Sequence, residues 1–597
     1  RDFCLSRGLG DVYKRQNLIC MNAMYNRQTI WVLVMIIVVV AGCRIPDTEN
    51  PVFRTISNPL NLNYRFCLDD VSRRDAANPC IVQFEDGYYL FLFGSGGYYY
   101  SSDLIEWKLI DDTNLPTESF APTVVEMQGE LYYTASYATD TIYKTDNPKS
   151  GVWEAVACNF PPGMLEPMLF YDEGRLYLYA GAGNSVSLTG VEVDPRTFQL
   201  LGEPSPLIRS RQRDNGWETP GDHHDWMDAT PWLEGMWMNK RGGKYYLQYA
   251  SPGIQFKTSN DGVYVSDTPL GPFTLAEHNP LVYRPEGFTT GAGNGGTFQD
   301  KYGNYWHVGT VAVTARHYFE RRLSLYPVFF DEDSVMYAYT ELGDYPMIVP
   351  DHKITSPEEL FPGWMLLSHN KSVRSSSELR KYPACCAVDE DIRTWWSAET
   401  ADKGEYLSVD LGEECEVNAV QINFADHDAH LFGRSDSIFY QYYLEESADG
   451  KKWNILVDKS VNTEDAPHNY IQLKEAVKTR YVRLTNIYCP SGKFSVSGLR
   501  VFGRSDKPSP PQTKFYRICR NKEDRRNVIL KWREAEGATG YGIRFGIHPE
   551  KLYNSYMVYN DTEIELRCLQ VGQTYYFAVD SFNEGGITRG DVMKEDE

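Results

Sequence analysis

Between residues 61 and 350 one pattern of polar and apolar positions recurs five times. An acidic or glycine turn is followed by aromatic-rich alternation and then a second strand. It reads Glu85-Asp-Gly-Tyr-Tyr-Leu-Phe-Leu-Phe, Gln128-Gly-Glu-Leu-Tyr-Tyr-Thr-Ala, Asp172-Glu-Gly-Arg-Leu-Tyr-Leu-Tyr, Arg241-Gly-Gly-Lys-Tyr-Tyr-Leu-Gln-Tyr and Lys301-Tyr-Gly-Asn-Tyr-Trp-His-Val. Period-two alternation opening at a turn is the signal of a half-buried strand. A spacing of about 40 to 70 residues suits a propeller blade with variable loops. Three units run on into an outer-strand turn closed by an aromatic: Ser101-Ser-Asp-Leu-Ile-Glu-Trp, Lys144-Thr-Asp-Asn-Pro-Lys-Ser-Gly-Val-Trp and Val265-Ser-Asp-Thr-Pro-Leu-Gly-Pro-Phe. No segment of useful length here has the helical period. The expectation is an all-β chain whose residues 61–350 form five blades around a central funnel.

The pattern changes twice downstream. Residues 360–503 carry Val388-Asp-Glu-Asp-Ile-Arg-Thr-Trp-Trp-Ser-Ala-Glu and Glu405-Tyr-Leu-Ser-Val-Asp-Leu-Gly, and close with Arg480-Tyr-Val-Arg-Leu-Thr-Asn and Ser497-Gly-Leu-Arg-Val-Phe-Gly. Trp396 is expected in the core, and Trp395 is little better placed as a sugar platform. Lys507-Pro-Ser-Pro-Pro then reads as a stiff linker. Residues 508–590 hold Val528-Ile-Leu-Lys-Trp, Gly540-Tyr-Gly-Ile-Arg-Phe-Gly and Leu569-Gln-Val-Gly-Gln-Thr-Tyr-Tyr-Phe-Ala-Val. Trp532 is the expected core tryptophan, and Leu569 with Tyr575 has the spacing of a tyrosine corner. The charged tail after Gly590 is expected to fray.

Within the blades, Thr230-Pro-Trp-Leu-Glu-Gly-Met-Trp-Met sets one carboxyl, Glu234, among apolar and aromatic neighbours. Lost water raises a carboxyl pKa, which is how an acid stays protonated near neutral pH to donate a proton. The plain alternative is a strand-end glutamate in a salt bridge. Composition narrows the ligand. Aromatics make up 14% of the 597 residues, and flat rings suit strands and sugar faces alike. A formal net charge of -22 argues against a nucleic-acid partner, which needs a basic surface. The 12 cysteines form no CxxC pair or zinc spacing.

At the start of the chain, residues 1–20 read as a non-native leader. Residues 21–43 read as a bacterial lipoprotein signal: Arg27, an apolar run from Ile30 to Val40, then Val40-Ala-Gly-Cys43. The resemblance implies lipid on Cys43, a tether over 44–60, and a place on the bacterial cell envelope held to the membrane by that anchor only. The apolar run is about half the roughly 20 residues a spanning helix needs.

Residues 65–345 resemble glycoside hydrolase family 43, the five-bladed propellers acting on arabinose- and xylose-containing glycans. The likeness rests on Trp232-Leu-Glu-Gly with Lys244-Tyr-Tyr-Leu-Gln-Tyr-Ala, on Asp261-Gly-Val-Tyr-Val-Ser-Asp-Thr-Pro-Leu-Gly-Pro-Phe, and on Phe298-Gln-Asp-Lys-Tyr-Gly-Asn-Tyr-Trp-His. Members invert the anomeric centre with an aspartate base, a second aspartate that tunes the acid, and a glutamate acid. Glu234 matches the acid. Asn78, in Asn-Pro-Cys-Ile-Val, stands where the base is expected. Glu166, in Leu-Glu-Pro-Met, holds the tuning position. Asn294, in Gly-Ala-Gly-Asn-Gly, replaces a histidine. Arg321 matches a funnel arginine, with Arg322 the other candidate for the inward side chain, and Trp232 is a candidate sugar contact. A carboxamide can orient a water but cannot take its proton. Asp75, an odd number of residues before Asn78, is expected on the opposite face. The Gly221-Asp-His-His-Asp run is read as a loop at the funnel mouth, since adjacent histidines chelate one ion poorly.

Residues 360–503 resemble the factor 5/8 type C (discoidin-like) jelly roll, and 508–590 resemble a fibronectin type III β-sandwich. The resemblances imply an inverting arabinofuranosidase- or xylosidase-type hydrolase of plant-type polysaccharide, with catalysis impaired at Asn78, or else a surface protein that binds glycan without turnover. No cofactor is required. A structural calcium occurs among relatives of the first two modules, and no ligand set in the chain decides the matter.

Overall fold

The computed structural model describes residues 53–137, 141–157 and 164–596. The leader, the signal segment with Cys43 and most of the tether lie outside the described residues. Apart from short 3-10 turns every described element is a strand.

Five antiparallel sheets fall where the repeats are. Blade 1 is Cys80–Phe84, Gly87–Phe91, Tyr98–Ser101 and Lys108–Ile110. Blade 2 is Thr123–Met127, Glu130–Thr134, Ile142–Thr145 and Glu154–Ala157. Blade 3 is Met168–Asp172, Arg175–Ala180, Leu188–Val193 and Ser205–Ile208. Blade 4 is built on Trp232–Arg241, Lys244–Ser251, Asn260–Ser266 and Thr274–Leu275, and blade 5 on Gly296–Gln299, Tyr305–Ala312, Arg321–Phe330 and Met336–Ala338. The first strand of each blade touches the first strand of the next, and that of blade 5 touches that of blade 1. The ring is therefore closed. The recurring turns join first to second strands: Phe84 pairs with Gly87, Met127 with Glu130, Asp172 with Arg175 and Arg241 with Lys244. Their alternation buries Tyr88, Leu90, Leu131, Tyr133, Leu176, Leu178, Tyr246 and Trp306 between blades.

The second module is one eight-stranded sheet system built on Tyr406–Phe424, Gln441–Ser447, Asn454–Asp458, His468–Tyr488 and Ser495–Arg504. Its core holds Trp396, Leu407, Val409, Phe424 and Phe494. Trp395 instead stacks on Tyr382, centroids 4.8 Å apart at 15°. The third module pairs a three-stranded sheet (Phe515–Arg520, Val528–Trp532, Glu563–Leu566) with a five-stranded one around Gly540–Gly546 and Tyr576–Asn583. Trp532 is in its core. The Tyr575 hydroxyl accepts the Gln570 backbone N–H at 3.1 Å, the bond of a tyrosine corner.

Three expectations are corrected. The end of the tether is packed structure: Arg54–Ile56 pairs with Met347–Val349, and Asn58 and Leu60 are buried. Asn58 bonds the carbonyls of Leu325 and Gly343, and the apolar alternation Leu60, Leu62, Tyr64 fills the core under blade 5. The proline-rich linker lies against the third module, with the Pro508, Pro510 and Pro511 carbonyls accepting from Asn583, Thr588 and Ser581. The tail after Gly590 pairs too, Met593 with Phe577, because buried Glu595 meets Arg520 at 2.5 Å.

Candidate active site

The chain enters the inner strands in a shared way. Asn78, Ala121 and Glu166 each stand before a proline, and with Asn294 they have φ between 48° and 51°. This left-handed region is tolerated by asparagine and is a strained one for glutamate. Blade 4 uses Gly235, φ 60°, where a Cβ would come within 2.5 Å of the Asn294 Oδ1. The glycine after Glu234 is thus required by the close approach of blade 5. Four of these five entry points carry a polar candidate or sit beside one.

The candidates converge. Asn78 Nδ2 donates to both Glu166 oxygens at 3.1 Å. Trp232 Nε1 donates to Glu234 Oε2 at 2.6 Å. Burial pushes the Glu166 carboxyl well up, and repulsion from Glu234 adds to the shift; the Asn78 amide and the charge of Arg321 oppose it. Burial also pushes Glu234 up, against the Trp232 N–H, Arg321 and the Asn294 amide. The Asn294 Nδ2 itself makes no hydrogen bond of ordinary geometry. Two buried like charges near each other cannot both ionise readily, so the pair titrates as a unit.

Asp75 does not join this pair. It holds Arg321 through Nε at 2.8 Å and Nη2 at 2.5 Å and also accepts the Arg321 backbone N–H. Arg321 is the inward arginine, since both glutamates feel its charge. Arg322 turns away to His468 Nε2 at 2.8 Å. Of the histidine pair, His224 is buried between the Thr219 carbonyl and the Tyr283 hydroxyl while His223 faces solvent. Among the described residues no cluster of three or more His, Cys, Asp or Glu side chains could hold a metal ion.

Sequence reasoning missed Asp261. It is fully buried and accepts the backbone N–H of Asn294 at 2.8 Å, which fixes the loop that carries that amide. Burial pushes its carboxyl to about 8, with Glu234 adding to the shift. The available signal was an acidic residue at the head of an otherwise apolar strand, Asp261-Gly-Val-Tyr-Val.

A closed five-bladed ring with carboxyls at its centre is now matched by family comparison. Residues 70–336 match the model of glycosyl hydrolases family 43, and residues 372–495 match the F5/8 type C domain. The family 43 match thus falls on the propeller. No curated protein matches the chain. Among solved structures, Bacteroides ovatus xyloglucan PUL GH43B is 14% identical over 90% of this chain and 98% of its own, with a TM-score of 0.40. An endo-1,4-beta-xylanase from Bacteroides thetaiotaomicron is 21% identical over 48% and 96%, TM-score 0.37. An exo-1,5-alpha-L-arabinanase from a bovine ruminal metagenomic library is 18% identical over 45% and 98%, TM-score 0.34. None of these likenesses bears on the substrate of this family 43 domain.

Proposed function

We propose that the family 43 domain takes an arabinofuranose- or xylose-bearing plant-type glycan into its funnel. Glu234 is the acid, and hydrolysis is impaired because Asn78 holds the base position. Asn294, Arg321 and Trp232 hold the sugar, and lipid on Cys43 tethers the protein to the bacterial cell envelope. One observation carries the reading: the Asn78 amide is bonded to both oxygens of Glu166. Inversion needs a protonated acid and an ionised base, separated by roughly 6.5–9.5 Å to admit a water. An amide cannot accept the water's proton. Asp75 spends its oxygens on Arg321. Burial pushes the Glu166 carboxyl up, which disfavours its ionised form. The funnel thus offers an acid and candidate sugar contacts, while of the two candidate bases Asp75 is bonded to Arg321 and Glu166 is pushed up by burial.

A second reading rests on the same bonds seen from Glu166. Two amide contacts and the charge of Arg321 favour its ionised form, and an ionised Glu166 can serve as the base of a working hydrolase. The test is turnover of aryl arabinofuranosides and xylosides, with calorimetric binding of arabino- and xylo-oligosaccharides, by wild type, Glu234→Gln and Glu166→Gln. Binding with negligible turnover supports the proposal. Turnover abolished by both substitutions supports the second reading. Neither binding nor turnover overturns both.

A further inference from the structure

In every blade the first strand begins at the funnel face, so the loops joining second to third strands, and blade to blade, also lie on that face. The F5/8 type C module is docked there. Its Arg434 donates to the Ser95 carbonyl in the blade 1 loop. Arg316 of the blade 5 loop donates to the Asp426 carbonyl at 2.9 Å. Ser72, on the segment leading into Asn78, exchanges hydrogen bonds with the Leu431 backbone at 2.9 and 3.0 Å. The loop from Asp426 to Arg434 therefore stands between the rims of blades 1 and 5.

That loop exposes Phe432, 49% accessible. Contacts of its chain neighbour lead from that loop towards the carboxyls. Leu431 bonds Ser72; the neighbouring Arg73 donates to the Phe319 carbonyl at 2.7 Å. The Phe319 ring, 46% accessible, lies 4.6 Å from the Arg321 guanidinium. Arg321 acts on both Glu166 and Glu234. The exposed Trp232 points its N–H at Glu234.

We infer that this face is an extended glycan-binding surface shared by the two modules, and that its occupant is a neutral chain of several sugars. Three large aromatics, Phe432, Phe319 and Trp232, are exposed on the two modules. Here they are single rings separated by hydrogen-bonded polar side chains, which suits sugars laid one after another; a protein interface would present a contiguous apolar core. Flat rings offer apolar faces to the C–H faces of sugars. The net charge of -22 disfavours a polyanionic chain. Phe432 is then a length-sensing contact supplied by the accessory module.

The inference rests on the funnel being a glycan site, and the test separates the two. Arabinohexaose and xylohexaose are titrated against wild type, Phe432→Ala and Phe432→Leu, with arabinobiose and xylobiose alongside, and each variant is melted to confirm folding. Wild type is expected to bind a hexaose at least about tenfold more tightly than the matching biose. Both variants are expected to lose about tenfold on the hexaose and nothing on the biose. Equal hexaose and biose affinity in wild type, or an unchanged hexaose affinity in both variants, overturns the shared surface and leaves the funnel reading intact. Wild type that binds none of the four overturns both.

Discussion

Buried charge is treated in opposite ways at the module junction and at the funnel centre. At the junction and inside the two modules that meet there, three fully buried arginines each face a carboxylate. Arg74 meets Asp426 at 2.8 Å and Asp465 at 2.6 Å, Arg284 meets Asp344 at 2.6 Å, and Arg500 meets Glu390 at 2.9 Å. Burial alone would raise the Asp426 carboxyl, but Arg74 and Arg316 hold it below the usual range. In the funnel Arg321 is committed to Asp75, and burial pushes Glu166, Glu234 and Asp261 up. Charges in the first region cancel, and the pairs of Arg74 with Asp426 and Asp465 tie the propeller to the second module. The three raised carboxyls in the second have no cation bonded to them among the described residues, and groups with displaced pKa values in a concave centre are what a chemical site looks like.

The comparison can be broken first at the junction. Arg74→Met leaves Asp426 and Asp465 buried without their cation, and removing one member of a buried pair costs about 3–5 kcal/mol. Denaturant unfolding is expected to show that loss. An Arg74→Met protein as stable as wild type would mean the junction charges are not what joins the modules.

The funnel side is sharpened by pH. Glu166 has a native pKa above its unfolded one, so its contribution to stability is full below the ordinary 4.5 and is lost as pH rises through the raised value. The melting temperature of wild type is expected to fall more steeply than that of Glu166→Gln as pH rises from about 4.5 towards neutrality. Parallel curves would place Glu166 in water. The smallest effect is at Trp232. Trp232→Phe removes the N–H that favours ionised Glu234, and the Glu234 titration followed by NMR is expected to move up by about one pH unit or less. A downward move would contradict the hydrogen bond.

How much of this was legible follows from the range of each signal. The five turns and their alternating strands are local, so their text sufficed to place all five blades. Glu234, Glu166, Asn78 and Asn294 were legible because each sits at a strand entry with its own short motif, Glu-Gly, Glu-Pro, Asn-Pro or Gly-Asn-Gly. The partnership of Asp75 with Arg321 spans 246 residues, and period two could say only that Asp75 points away from Asn78. Docking of the modules was not legible at all. Arg74 looks like an ordinary arginine until Asp426 and Asp465 are folded against it, and Arg322 until His468 is. The packed segment Arg54–Ile56 and the paired tail at Met593–Lys594 were misread for the same reason: their partners are remote in sequence.

The most direct test of the central claim is the rate of aryl arabinofuranoside and xyloside hydrolysis by Asn78→Asp beside wild type. Restoring a general base typically returns about 10² to 10⁴ in rate. The account predicts a gain of that order for Asn78→Asp, abolished again by Glu234→Ala in the same background. A wild type that turns over in a Glu234-dependent way, with no gain from Asn78→Asp, would contradict it and assign the base to another group.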